Sequence, residues 1–71
     1  MPKSIDNLQL EILQTVATRE RMGALSIENA LGIPKEVAAE ELWQLAQAGY
    51  LVCGGYRLYS LSEAGAAAIS V

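Results

Sequence analysis

Apolar residues recur every three or four positions through the first part of the chain, which is the period of an amphipathic helix. A helix is predicted from Ser4 to about Arg19, and either Ser4 or Asp6 can cap its first turn. Its main apolar stripe consists of Ile5, Leu8, Ile12 and Val16. A second apolar set widens the stripe, namely Leu10, Leu13 and Ala17. We expect the C-terminal helix or the second subunit of a homodimer to cover this wider arc.

The segment after the first helix is predicted to contain a tiny strand and a short helix. Gly23 is expected to end the first helix in the left-handed conformation. Residues 24–26 are too few for an independent strand, but they can pair along the edge of a hairpin. Ser26 is expected to cap the short helix, and Gly32 to end it. The residues expected to face inward from this helix are Ile27, Ala30 and Leu31.

A third helix is predicted from about Pro34 to Ala48, with Pro34 in the first turn, where its missing N–H costs nothing. At about 100° per residue, one face of this helix is apolar and is expected to be core. That face consists of Ala38, Leu42 and Leu45. The opposite face is expected to be exposed and consists of Glu36, Ala39, Glu40, Trp43 and Gln47.

After the third helix the period changes from helical to alternating. Two β-rich runs joined by Gly54 and Gly55 predict a hairpin over residues 50–61, since both glycines can take the positive φ of a two-residue turn. If Tyr59 and Leu61 point inward, alternation sends three residues outward: Tyr56, Leu58 and Ser60. A C-terminal helix capped by Ser62 is expected to follow, although Gly65 within it costs about 1 kcal/mol relative to alanine.

Composition and charge narrow the possible functions. The 71 residues are expected to form a single domain over residues 1–71, and the 52% of apolar residues is typical of a compact chain. The formal net charge is −3, with no run of lysines and arginines. Because attraction to DNA grows with the number of phosphates neutralised, this balance argues against strong nonspecific binding to nucleic acid.

Several classes of protein are expected to be excluded. The chain has no histidine and one cysteine, Cys53, so we expect no zinc or other metal site, no internal disulfide and no histidine-based catalysis. No constellation of nucleophile, base and oxyanion donors is visible, so we expect neither an enzyme nor a cofactor. No apolar run approaches the roughly 20 residues of a membrane span, and the N-terminus lacks the apolar core of a signal peptide. We therefore expect a cytoplasmic protein without a membrane partner.

The order of elements and two short segments resemble the winged-helix-turn-helix superfamily. The segments are "LAQAGYL", from Leu45 to Leu51, and "YSLSEAG", from Tyr59 to Gly65. The resemblance is strongest to small regulators such as the MarR- and ArsR-type transcription factors. It implies an α+β, mainly α, fold with a three-helix core, a short β-hairpin wing and a C-terminal helix.

The resemblance also implies a DNA-binding transcriptional regulator that acts as a homodimer. In such proteins the second helix of the helix-turn-helix enters the major groove and the hairpin wing touches the backbone. Here these elements are the helix over residues 34–48 and the hairpin over 50–61. The candidate contact residues are Lys35, Glu36, Ala39, Glu40, Trp43, Gln44, Gln47, Tyr56 and Arg57. Glu36 and Glu40 repel phosphates, unless one of them accepts a hydrogen bond from a cytosine amino group.

An alternative reading is a winged-helix module that binds a protein instead of double-stranded DNA. Trp43 is expected on the exposed side of the third helix, and Tyr56 and Leu58 on the outer side of the hairpin. Three such residues side by side form an apolar patch that suits a protein interface. Trp43 can instead fold down over the wing and pack on Tyr50 or Leu58, so both readings stay open.

Overall fold

The computed structural model describes residues 6–69, which form four helices and a two-stranded hairpin. This architecture confirms the predicted mainly helical α+β fold. The predicted Ser4 cap and Ile5 lie outside the described residues. The helices and strands are α1 (Asn7–Arg19), α2 (Ala24–Leu31), α3 (Lys35–Gln47), β1 (Leu51–Cys53), β2 (Tyr59–Leu61) and α4 (Glu63–Ile69).

The first helix begins at a reciprocal cap. The Asp6 carboxylate accepts a hydrogen bond from the backbone N–H of Gln9 at 2.8 Å, and the Gln9 side chain accepts one from the N–H of Asp6 at 3.4 Å. This capping box satisfies backbone donors that a helix start leaves unpaired. At the other end of α1, the residue with a positive φ is Glu20, at 68°, and not Gly23. The prediction that Gly23 ends α1 is therefore wrong.

The second helix begins earlier than predicted. Gly23 is its N-cap residue, with φ of −106°, and Ser26 lies inside the first turn. Residues 24–26 are helical, so the predicted edge strand there is wrong. The residue that pairs with the hairpin is Met22, which exchanges two backbone hydrogen bonds with Tyr59 at 2.9 and 2.8 Å. Gly32 ends α2 with φ of 69°, as predicted.

The core lies where the first three helices meet the base of the hairpin. Its fully or almost fully buried apolar residues are Ile12, Leu13, Val16, Met22, Ile27, Ala38, Leu42, Leu45 and Leu51. The predicted core face of α3 is confirmed, whereas Ala30 of α2 is exposed and its predicted inward position is wrong. Leu13 is 0% exposed in the single chain, so this residue is not available to a second subunit.

The hairpin, which we call the wing, has a longer turn than predicted. The strands are antiparallel and the last pair before the turn is Cys53 with Tyr59, which leaves residues 54–58 as the tip. The tip contains a short 3-10 turn, and the N–H of Gly54 donates to the carbonyl of Leu58 at 2.7 Å. The positive φ values belong to Tyr56 at 61° and Arg57 at 59°, not to the two glycines.

The last helix is attached to the end of α3 by two contacts. The Ser62 hydroxyl donates to the carbonyl of Gly49 and accepts from the N–H of Gly65 at 3.1 Å. Ser62 therefore caps α4, as predicted. Gly65 is buried, and a Cβ atom there would overlap the carbonyl oxygen of Tyr50. The close approach of two backbones explains a glycine inside a helix.

Candidate functional site

A cleft of about 560 Å³ opens between the start of α2, the start of α3 and the wing. We call it the wing cleft. Ala24, Leu25 and Ser26 line it from α2. Lys35 and Ala39 line it from α3. The wing contributes Tyr56, Arg57, Leu58 and Tyr59. The wing cleft therefore brings together four of the candidate contact residues, namely Lys35, Ala39, Tyr56 and Arg57.

The wing cleft is positively polarised. Lys35 and Arg57 line it from opposite elements. Both α2 and α3 begin here, and a helix start carries partial positive charge and N–H groups that can bind an anion. Among the described residues, neither Gly23 nor Pro34 supplies a side-chain cap for these N–H groups. An acceptor from another molecule, such as a phosphate oxygen, can therefore use them.

The rim of the wing cleft is apolar and strongly exposed. Leu25 is 60% exposed and Tyr56 is 97% exposed at the tip of the wing. Leu58 turns inward, since its Cδ2 atom would lie 3.4 Å from a Cβ atom added at Gly23. Sequence reasoning missed Leu25, because a strand was expected at residues 24–26. The available signal was the helical spacing of Ala24 to Ile27 and Leu31, which predicts that α2 begins before Ser26.

Tyr59 lies at the base of the wing cleft. It pairs with Cys53 across the hairpin and with Met22 on its other side. Burial raises the pKa of the Tyr59 hydroxyl, the adjacent Cys53 thiol raises it further, and Arg57 partly offsets the rise. The Tyr59 side chain therefore adds no negative charge to the cleft at neutral pH.

The outer face of α3 is exposed as predicted. Glu36, Ala39, Glu40 and Gln47 are exposed. Trp43 is 57% exposed. Gln44 lies on the flank of this face and donates a side-chain hydrogen bond to Glu40 at 3.4 Å. The face combines hydrogen-bonding amides with two carboxylates.

A second depression, of about 470 Å³, lies at the opposite end of α3. We call it the Trp43 groove. Its lining residues are Gln9, Trp43, Gln44, Leu45, Gln47, Ala48 and Tyr50. Tyr56 and Leu58 line the wing cleft instead. The apolar patch predicted from Trp43, Tyr56 and Leu58 is therefore divided between two sites.

Within residues 6–69, no three potential ligands among His, Cys, Asp and Glu come together in a way that could hold a metal ion. None of the helices in this same part of the chain is long and apolar enough to cross a membrane.

Three helices, a wing paired against the segment before α2, and a following helix define a winged helix-turn-helix domain. Comparison with solved structures finds MarR from E. coli in its reduced form, with a TM-score of 0.88 and 19% sequence identity. The match covers 97% of this chain and 52% of that chain, so the chain spans about half the length of this structure. The fold is thus the winged-helix fold of MarR. No protein-family model and no curated protein sequence matches the chain.

Proposed function

We propose that the chain is a DNA-binding winged-helix protein that acts in transcription regulation. One observation carries the proposal: Lys35 and Arg57 line the same cleft from two elements, at the point where α2 and α3 both begin. Two cations and two helix starts around one opening suit the phosphate backbone of a duplex. The MarR-type fold supports the same function, because the transcription factors that it resembles bind DNA.

In the proposed complex, the helix over residues 34–48 enters the major groove and the hairpin over 50–61 lies beside the backbone. Gln44 and Gln47 are the residues suited to an adenine edge, since an amide can pair with adenine through two hydrogen bonds. Glu40 then accepts from a cytosine amino group and releases its hydrogen bond from Gln44. Glu36 has no such role in the proposal and weakens binding to any duplex.

The proposal includes a homodimer and a cytoplasmic location. Leu10 is half-buried and Ala17 exposed in the single chain, and α4 exposes Ala64, Ala66 and Ala67. These residues offer apolar surface to a second copy. Leu13 is not part of that surface, because it is fully buried within the single chain. A dimer doubles the number of cations that face DNA. A DNA-binding regulator works in the compartment that holds the DNA, so the cytoplasm predicted from the sequence remains part of the proposal.

The test is binding to a fluorescently labelled duplex of random sequence, measured over a salt series from 50 mM upward. We expect the affinity to fall as salt rises, with a modest slope because few phosphates are contacted. The double variant Lys35→Ala/Arg57→Ala should reduce the slope by about 2 for each chain bound, since each lost phosphate contact contributes roughly 0.9. The matched control Arg19→Ala removes an exposed cation outside the wing cleft and should change the slope less.

Absence of binding by the unmodified protein at 50 mM salt would overturn this function. So would a slope that the double variant leaves unchanged, because the cations would then lie away from the phosphates.

A second candidate function, a protein-binding module, is favoured by the exposed Trp43. Tryptophan is enriched among the residues that dominate protein interfaces. The protein-binding function centres on Trp43 at the end of α3 but shares Gln44 and Gln47 with the proposed base contacts, so DNA and a protein partner would compete for this part of the helix.

A further inference from the structure

The Trp43 groove combines aromatic walls with an apolar base. Trp43 and Tyr50 line it, with Leu45 and Ala48 between them along the end of α3. The single tryptophan of the chain therefore shares this groove with a tyrosine. Aromatic faces of this kind attract the guanidinium of arginine or the ammonium of lysine.

Two carboxylates border the groove. The Gln9 amide donates to Glu41 at 3.1 Å, and the Gln44 amide donates to Glu40 at 3.4 Å. Both amides belong to lining residues, so each carboxylate lies next to a residue of the groove without being part of the lining. Within the described part of the chain, the lining includes no lysine or arginine.

The end of α3 adds to this negative character. The last turn of α3 contains no basic residue, and the C-terminal end of a helix carries partial negative charge. The groove therefore has the opposite polarity to the wing cleft at the start of the same helix.

We propose that the Trp43 groove binds a segment of a protein partner in which an arginine or lysine stands next to an apolar side chain. The apolar side chain packs on Leu45 and Ala48. The cation stacks on Trp43 and pairs with the carboxylate of Glu40, three residues earlier on the same helix face, while Glu41 adds a weaker, longer-range attraction.

Charge argues against the other occupants. A phosphate backbone would meet Glu40 and Glu41 with no cation in the lining. If two copies of the chain packed groove against groove, Glu40 and Glu41 of one copy would face the same carboxylates of the other, and the like charges would repel. The inference goes beyond DNA binding and does not depend on it.

The experiment has two stages. Peptides from a random displayed library are first selected on the immobilised protein, with removal of those that also bind Trp43→Ala. We expect enrichment of sequences that hold arginine or lysine beside an apolar residue. The enriched peptides are then titrated while tryptophan fluorescence is recorded, because Trp43 is the sole tryptophan and its emission reports on the groove directly.

The decisive variant is Glu40→Gln/Glu41→Gln, in which a glutamine at 41 can still accept from Gln9. We expect it to weaken binding of the peptides by about fivefold at low salt, since the ion pair with Glu40 and the weaker attraction of Glu41 are lost. The matched control Glu28→Gln/Glu63→Gln removes two carboxylates elsewhere and should leave the affinity within about twofold. Circular dichroism of all variants confirms that they are folded.

Several results would overturn the inference. One is enrichment of neutral or acidic peptides, or no enrichment. Another is equal binding to the Glu40→Gln/Glu41→Gln variant. If Lys35→Ala/Arg57→Ala abolishes peptide binding, the peptide occupies the wing cleft and the inference fails. If the Trp43→Ala substitution changes the mass of the protein in sedimentation, a second copy is the occupant. Loss of DNA binding alone would overturn the proposed function and leave this inference standing.

Discussion

The two ends of α3 meet different surroundings. At its start, Lys35 shares the wing cleft with Arg57 and with the beginning of α2. At its end, Trp43 and Tyr50 share a groove. Glu40 and Glu41 lie next to this groove, because each accepts a hydrogen bond from the side-chain amide of a lining residue. A net charge of −3 for the chain gives no hint of this separation. The comparison teaches that local charge on each surface, rather than the total, indicates the class of partner.

The largest expected effect comes from Gly65→Ala, which disturbs the groove end of α3. The added Cβ would overlap the Tyr50 carbonyl oxygen and would lie 3.0 Å from Leu61 Cδ2. We expect the free energy of unfolding to fall by about 1–3 kcal/mol, because the backbones of Tyr50 and α4 must separate. Denaturant unfolding measures the change. Gly55→Ala is the control, since a Cβ there would meet nothing within 4 Å, and equal losses for the two variants would refute the explanation.

Charge reversal at the two ends of α3 should have opposite effects on DNA binding. Arg57→Glu should weaken binding to a random duplex at 50 mM salt by at least about tenfold, because it replaces a phosphate contact with repulsion. Glu40→Lys should strengthen the same binding and should abolish binding of basic peptides to the Trp43 groove. Fluorescence anisotropy with each ligand checks both expectations. If Arg57→Glu and Glu40→Lys changed the affinity for DNA equally and in the same direction, the two ends of α3 would not differ in charge character as described.

A smaller effect is expected from Trp43→Ala. Because 57% of the Trp43 side chain is exposed, its removal should lower the free energy of unfolding by less than about 1 kcal/mol. Partner binding should nevertheless be lost. Thermal unfolding followed by circular dichroism gives the stability. A substitution that unfolds the domain would make Trp43 a core residue and would remove the main support for the groove.

The smallest effect is expected at the tip of the wing. Tyr56 has φ of 61°, which costs most residues about 1 kcal/mol, and its side chain is 97% exposed. Tyr56→Gly should therefore raise the free energy of unfolding by a few tenths of a kcal/mol after the entropy of glycine is subtracted. Denaturant unfolding resolves a change of this size only with replicate curves. Destabilisation would mean that the tyrosine ring packs on the protein in solution.

Helical periodicity predicted α3 well, since one face of a long helix repeats often enough to be recognised. Ala38, Leu42 and Leu45 are buried and Trp43 is exposed, as the spacing indicates. The change to an alternating pattern around Gly54 and Gly55 predicted the wing, and Ser62 as a cap predicted the last helix. Gly65 was expected only to destabilise the last helix. Its reason, the close approach of the Tyr50 backbone, is a long-range contact that the local sequence does not reveal.

Local rules failed where pairing between distant segments decides the structure. Met22 is held against Tyr59 by two hydrogen bonds, and this fixes the chain so that α2 begins just after Gly23. A serine at position 26 is a good cap by propensity, but the pairing overrides it. Periodicity also cannot tell which surface covers a second apolar arc. The C-terminal helix or a second subunit was expected to cover Leu13; the residue is fully buried within the chain, in which α1 packs against α4 and β2.

The charge polarity of α3 could not be predicted from composition. Lys35 and Arg57 are 22 positions apart in sequence and face one cleft only because the wing folds back beside α2. The position of Glu41 likewise depends on a distant residue, because its carboxylate accepts a hydrogen bond from the Gln9 amide of α1.

The pairing of Met22 with Tyr59 has a consequence for how such a protein can diversify. It gives the base of the wing a third paired segment, while the tip over residues 54–58 closes on itself through the Gly54 to Leu58 hydrogen bond. Changes in length or sequence at residues 54–56 are thereby separated from the packing of the helices, whereas Arg57 and Leu58 lie against Gly23 at the start of α2. The outer part of the tip can therefore vary in length and charge while the fold stays the same.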